Sequence, residues 1–300
     1  MKDLLHQFRQ VILYGPPGTG KTREAKRTAL AILSGKEPAE SAPTGEIDKQ
    51  LQPFREDKRF ELVVFHPAYE YEQFVGGIEP IVKDGTLAFQ VKGGIFLQLC
   101  RRAEQRSTGS HAQPVVLVID EINRGNLPKL LGELVYALEY RNQPVTLPFV
   151  CEERADLIVP GNLYIIATMN SADRSIGHID VAIRRRFGLC HVGPDSEVIR
   201  KVWHGAQEES YGERLVKLME QLNAMLNTGN DRNAEAEMGI GHSYFLPNAD
   251  ASGEVAQQQV RMKWEHQVQP LLREYAQLLN LGADTLGKWL HPLDQVLPQP

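Results

Sequence analysis

The sequence predicts an α/β protein: a parallel sheet covered on both faces by helices, followed by a smaller helical domain. Three observations carry this. Four short apolar runs are separated by helix-forming stretches; a Gly/Pro-rich segment joins the first run to the first helix; and after Pro194 apolar residues take up helical spacing. The 300 residues, 42% hydrophobic and 24% charged, are enough for one large domain and a smaller companion.

Val11-Ile12-Leu13-Tyr14 is the first run; it stops at a Gly/Pro cluster and is followed by Arg23 to Leu33, of helix-forming composition. From Ser34 to Arg59 the chain is polar and carries Pro38, Pro43 and Pro53, which predicts a surface loop. Leu62 to Phe65, Val115 to Ile119 and Leu163 to Ala167 are the other buried strands, with helical patterns at Ile95 to Glu104 and Leu127 to Leu138. Beyond Pro194, Leu215, Leu218, Met219, Leu222, Met225 and Leu226 mark a helix. Asn227 to Met238 is a polar break, and Val260 to Leu279 is a helix interrupted at Pro270. The domain boundary is therefore expected at 194/195.

A net charge of -5 and a pI of about 6.0 exclude a global basic field, so any DNA contact is expected to be local or supplied by a partner. Cys100, Cys151 and Cys190 are scattered singly, as in a reducing compartment. No leader-like segment and no run approaching 18 apolar residues is present, so a soluble cytoplasmic protein without membrane partners is expected.

Chemistry concentrates in four places. Gly15-Pro16-Pro17-Gly18-Thr19-Gly20-Lys21-Thr22 fits the phosphate-binding P-loop pattern and lies between a predicted strand and helix, as that pattern requires. Its glycines let successive N–H groups point inward above a helix N-terminus; Lys21 is expected to reach the β/γ-phosphates and the Thr22 hydroxyl to ligate Mg²⁺. The strand Val115–Ile119 ends in Asp120-Glu121, expected to hold the Mg²⁺ shell and to polarise the attacking water. The strand beginning at Leu163 delivers Asn170 to the same sheet edge, either as an orienter of the lytic water or γ-phosphate or as an ordinary strand-end turn residue. Arg184-Arg185-Arg186 end a short helix, either as a solvated terminus compensating the helix dipole or as a source of a trans-acting arginine.

With these elements in order, the chain resembles the AAA+ superfamily, which implies a five-stranded parallel core of order 5-1-4-3-2 and a helical lid. Phe65 to Phe74, Gly94-Ile95-Phe96, Asp120 to Asn126, Met169 to Ser175 and Ile240 to Phe245 narrow the resemblance to the McrB family over roughly residues 10 to 275. Ser171 stands where the family signature has Thr, keeping the hydroxyl.

The resemblance implies that Lys21, Thr22, Asp120, Glu121 and Asn170 carry phosphate, metal, base and water-orienting roles. It makes Arg185 or Arg186 the trans finger, and places Arg174 or Arg124 against a neighbouring subunit. Segments 66–94 and 143–161 fall where the wider clade carries insertions that often face a central pore. The P-loop begins at residue 15, so the family's N-terminal DNA-recognition domain is not expected in this chain, nor is a nuclease centre, which in such systems belongs to a McrC-type subunit. The lid shows no Arg for the γ-phosphate near Gly241; His242 occupies that neighbourhood, or serves as a capping or core histidine.

The function expected is Mg²⁺-dependent hydrolysis of GTP or ATP by a homo-oligomer, a hexameric ring, that drives a McrC-like endonuclease in DNA restriction and antiviral defence. Two alternatives keep the fold: a MoxR-like ATPase that remodels a protein partner, and a nucleotide-gated scaffold without turnover. Residues Leu5 to Val11 and the lid are expected to line the base pocket, whose shape decides between GTP and ATP.

Overall fold

In the computed structural model, which describes residues 1–40, 42–83, 85–107, 112–172, 179–204, 209–227, 238–248, 251–280, 287 and 289, α1 (Lys2–Phe8) leads into β1 (Gln10–Gly15). Val11, Ile12 and Leu13 are fully buried, as a strand covered on both faces requires. α2 (Lys21–Ser34) follows, buried along Ala25, Ala29, Leu30 and Leu33.

The stretch expected as a loop then departs from expectation, for it contains α3 (Thr44–Glu56). Pro43 occupies the N-cap and so starts the helix instead of breaking it, while Ile47 and Leu51, one turn apart, are buried. Pro53 falls within the last turn.

The chain continues through β2 (Phe60–Val64), α4 (Tyr71–Phe74), the antiparallel hairpin β3 (Gly76–Lys83) and β4 (Thr86–Gly93), α5 (Ile95–Gln105) and β5 (Val115–Asp120). Cross-strand register puts Ile78 opposite Val91, Pro80 opposite Phe89 and Val82 opposite Leu87, so the hairpin shows one apolar face to solvent. The helix expected at Leu127 to Leu138 is two: α6 (Leu127–Leu131) and α7 (Leu134–Glu139), separated at Gly132, whose φ of 41° leaves the helical region. A second hairpin, β6 (Val145–Cys151) and β7 (Arg154–Leu157), precedes β8 (Leu163–Asn170), α8 (Val181–Arg184) and β9 (Gly188–His191).

The five-stranded sheet runs β2-β5-β8-β1-β9, with β2 parallel to β5 and β5 parallel to β8. Numbered by order along the chain, these strands read 5-1-4-3-2 from the β9 edge, as expected. Half-buried Arg141 ties the amino ends of β1 and β8: it donates to Gln10 Oε1 at 2.6 and 3.1 Å and to the Pro160 and Leu163 carbonyls at 2.8 Å. Burial lowers its pKa to about 10.

The helical part comprises α9 (Ser196–Val202), α10 (Glu209–Asn227), α11 (Gly253–Lys263) and α12 (Gln269–Leu278). Leu215, Leu218, Met219, Leu222 and Leu226 form the buried stripe of α10, packed with Trp203, Phe245, Trp264 and Leu272. The interruption expected at Pro270 is a π-helical turn, Trp264–Val268, which runs without a break from α11 into α12, and Pro270 follows as the second residue of α12.

Two compact units emerge, each in its described residues: Met1–Tyr14, Lys21–Met169 and Arg174–Cys190; and Gly15–Gly20, Asn170–Asp173 and His191–Pro300. Among the described residues, no helix is long and apolar enough to cross a membrane.

Candidate nucleotide-hydrolysis site

In the first unit, the carboxyl end of β5 carries the acidic pair. Thr22, second residue of α2, donates its hydroxyl to Asp120 Oδ1 at 2.8 Å. Lys21 opens the same helix and is 7% exposed. Thr168 of β8 donates to the same Asp120 oxygen at 2.5 Å and accepts the Glu121 N–H at 3.1 Å. Glu121 adopts a left-handed conformation, φ 55° and ψ 48°, uncommon outside glycine. Its Oε2 lies 3.9 Å from Arg124 Nε. The donor set around Asp120 is hydroxyl and carboxylate oxygen, the hard ligands that Mg²⁺ takes.

The arginines of α8 and its end differ in setting. Arg186 donates to the Ala182 carbonyl and to Glu139, and its side chain is only 9% exposed. Arg185 lies 3.5 Å from Glu139 with a side chain 62% exposed. Arg174 lies outside the described residues.

In the second unit, the loop Gly15–Gly20 is shaped by backbone contact with the segment before and within the 3₁₀ turn His242–Phe245. Gly241 donates its N–H to the Pro17 carbonyl and Ser243 to the Gly18 carbonyl, both at 3.0 Å. A Cβ on Gly241 would stand 2.0 Å from the Gly18 carbonyl carbon, so only glycine fits. Gly18 and Gly20 have φ of 78° and 76°, which turns successive N–H groups toward one side. Thr19, 3% exposed, is pinned through its hydroxyl to the Pro16 carbonyl at 3.1 Å.

His242 Nδ1 accepts the Asp195 N–H at 3.2 Å, which in the neutral ring puts the proton on Nε2. That nitrogen is 3.7 Å from where a Gly20 Cβ would be. Asn170 ends β8, and the following residue, Ser171, donates its N–H to the Gly15 carbonyl at 3.1 Å.

Several contributors were not legible in the sequence. Asn223 clamps the Ile240 backbone from both sides, at 2.7 and 3.0 Å, and Tyr275 donates to the Gly239 carbonyl at 3.2 Å. Lys263 donates to the Leu246 carbonyl at 2.7 Å, and desolvation lowers its pKa. Leu5, His6 and Arg9, expected near a base, line a cavity of about 700 Å³ with Arg27, Asn162 and Tyr164. That cavity lies at the amino ends of β5 and β8, not at the end that carries Asp120.

A P-loop followed by an acid-tipped strand is shared by many nucleotide-hydrolysing proteins, and comparison with known families narrows it. Residues 10–187 match the AAA domain of the dynein-related subfamily. The chain belongs to the AAA family.

As an AAA protein it is a P-loop NTPase, a hydrolase, and its lid is of the McrB kind: residues 214–277 match the McrB alpha-helical lid domain. It is 33% identical to the type IV methyl-directed restriction enzyme EcoKMcrB subunit of Escherichia coli (strain K12), over 89% of this chain and 54% of that protein. It is 28% identical to the type II restriction enzyme BsuMI component YdiS of Bacillus subtilis (strain 168), over 60% of this chain and 56% of that protein. The chain thus spans about half the length of these curated relatives.

Proposed function

We propose that this AAA protein hydrolyses GTP or ATP with Mg²⁺ as a ring of copies in the cytoplasm, and that hydrolysis powers a McrC-like nuclease partner in DNA restriction. The observation that carries the chemical part is the pairing of the Thr22 hydroxyl with the Asp120 carboxylate at 2.8 Å, one group from the P-loop helix and one from the acidic strand end. Among the described residues no cluster of three or more His, Cys, Asp or Glu holds a metal by itself, which fits a metal bound together with nucleotide phosphates. When bound, Mg²⁺ supplies positive charge to the phosphate oxygens.

In this reading the loop N–H groups and Lys21 bind phosphate oxygens, and Thr22 and Asp120 hold the metal shell. Glu121 takes the proton of the attacking water, and Asn170 orients that water without competing for its proton. His242 donates from Nε2 to the nucleotide where relatives of the fold use an arginine. Arg185 is the trans finger, because it is the exposed member of the pair that shares Glu139.

The work done by hydrolysis is inferred from the McrB-type lid and from the two restriction proteins the chain resembles. DNA is reached through the partner, in keeping with the net charge of -5.

Phosphate release from ATP and GTP, measured side by side for the parent chain and for Glu121→Gln, tests the chemistry. Loss of turnover in the variant with retained nucleotide binding is expected; turnover at the parental rate overturns the assignment. Mass identification of the co-purifying subunit tests the partner, and a nuclease is expected.

A further inference from the structure

Thr168 was not among the residues the motifs single out, yet its hydroxyl touches both members of the acidic pair. The parallel register of β5 and β8 pairs Ile119 with Ala167, so the next step along each strand sets Thr168 beside Asp120. Thr168 is 2% exposed, at the end of a strand whose Ile165, Ile166 and Ala167 are buried. At such a place valine has the same shape and no desolvation cost, whereas a buried hydroxyl is unfavourable unless its bonds are made.

Here they are made, and both go to the acidic pair. The hydroxyl donates to Asp120 Oδ1 at 2.5 Å and accepts the Glu121 N–H at 3.1 Å. Asp120 Oδ1 therefore receives two hydroxyls, from Thr22 and Thr168, which restrains rotation of the carboxylate. The Glu121 amide is held at the very residue whose backbone is left-handed, a conformation that persists only where its surroundings determine it.

We propose that Thr168 is a positioning residue for hydrolysis: its single hydroxyl sets the orientation of the Asp120 carboxylate toward Mg²⁺ and fixes the backbone turn that aims Glu121. The inference rests on the roles assigned above to Asp120 and Glu121. It predicts an effect on metal use and on turnover, with none on phosphate binding that needs no metal.

The test compares Thr168→Val, Thr168→Ser and Thr168→Ala in the full chain. Four quantities are read: kcat and KM for the preferred nucleotide, the Mg²⁺ concentration giving half-maximal tightening of a fluorescent nucleotide analogue, and the affinity for that analogue in EDTA. Thr168→Val is expected to lower kcat and raise the Mg²⁺ requirement, each by about 10- to 100-fold as for residues that orient metal ligands, with affinity in EDTA changed less than about twofold. Thr168→Ser is expected to restore both.

Because Ser and Ala differ there by the hydroxyl alone, that pair decides the matter if Thr168→Val does not fold. Ser and Ala variants equally impaired, or a Val variant with parental kcat and Mg²⁺ requirement, overturn the proposal. Glu121→Gln, run alongside, separates the two levels: if it hydrolyses at the parental rate the underlying assignment fails, and if it is inactive while Thr168→Val is parental only the role of Thr168 fails.

Discussion

The glycine loop and the acidic strand end are built on opposite terms. The loop, with the segment Gly239 to Tyr244, is a fit of backbone to backbone: a Cβ on Gly241 would lie 2.0 Å from Gly18, and the bonds that hold the two together run between main-chain groups. The strand end is a fit of oxygen to oxygen: two hydroxyls converge on one carboxylate oxygen, and a third bond fixes the next amide. The first region is sensitive to added volume and indifferent to charge. The second is sensitive to the loss of a polar atom and tolerant of shape, and each kind of substitution therefore tells them apart.

The largest effect is expected at the strand end. Glu121→Gln keeps volume and removes the proposed base, so kcat should fall about 10³-fold in a phosphate-release assay, with nucleotide binding retained. Gly241→Ala comes next, and by the other route. Here the obstacle is backbone that cannot swing aside, and a loss of about 2–3 kcal/mol in nucleotide affinity or folding is expected, seen by titration and thermal melting.

Gly18→Ala sharpens the contrast, because its Cβ would meet the Tyr244 ring at 2.5 Å, the movable part of a side chain. About a tenfold loss of nucleotide affinity is expected, from the left-handed backbone and the ring together. Tyr244→Ala should restore part of it, whereas no second-site change at a side chain should restore Gly241→Ala. The smallest effect belongs to His242→Ala, which removes one neutral donor: KM should rise about fivefold, the worth of one hydrogen bond, with kcat changed less.

The two regions also differ in how much of them a sequence discloses. Gly15 to Thr22 and the run Val115 to Asp120 are local signals: the residues proposed to bind phosphate or metal also make the turn or the strand, so the pattern and its context coincide. The sheet order followed from resemblance. What stayed hidden depends on partners distant in sequence. Thr168 is one more β-branched residue in an apolar strand until the register with β5 sets it beside Asp120. Asn223 and Tyr275 look like ordinary helix residues until the backbone of Gly239 and Ile240 is placed against them.

The departures of the fold from the sequence pattern have the same origin. Pro38, Pro43 and Pro53 give Ser34 to Arg59 the composition of a loop, yet Pro43 sits where a helix tolerates it and the buried pair Ile47 and Leu51 outweighs the polar composition. Gly132 is legible as a residue but not as a break, because glycine is tolerated within a helix and its φ of 41° shows only in the folded backbone.

The left-handed backbone at Glu121 has a consequence for how this protein drifts and how it is engineered. A non-glycine residue held there costs on the order of 1–3 kcal/mol, and glycine at the same position relieves that cost while deleting the carboxylate proposed as the base. On the proposed role of Glu121, the inactive protein is then the more robust one. Random mutation screened only for solubility or heat resistance is expected to enrich losses of activity at this residue, and a search for hardier versions must select for turnover at the same time.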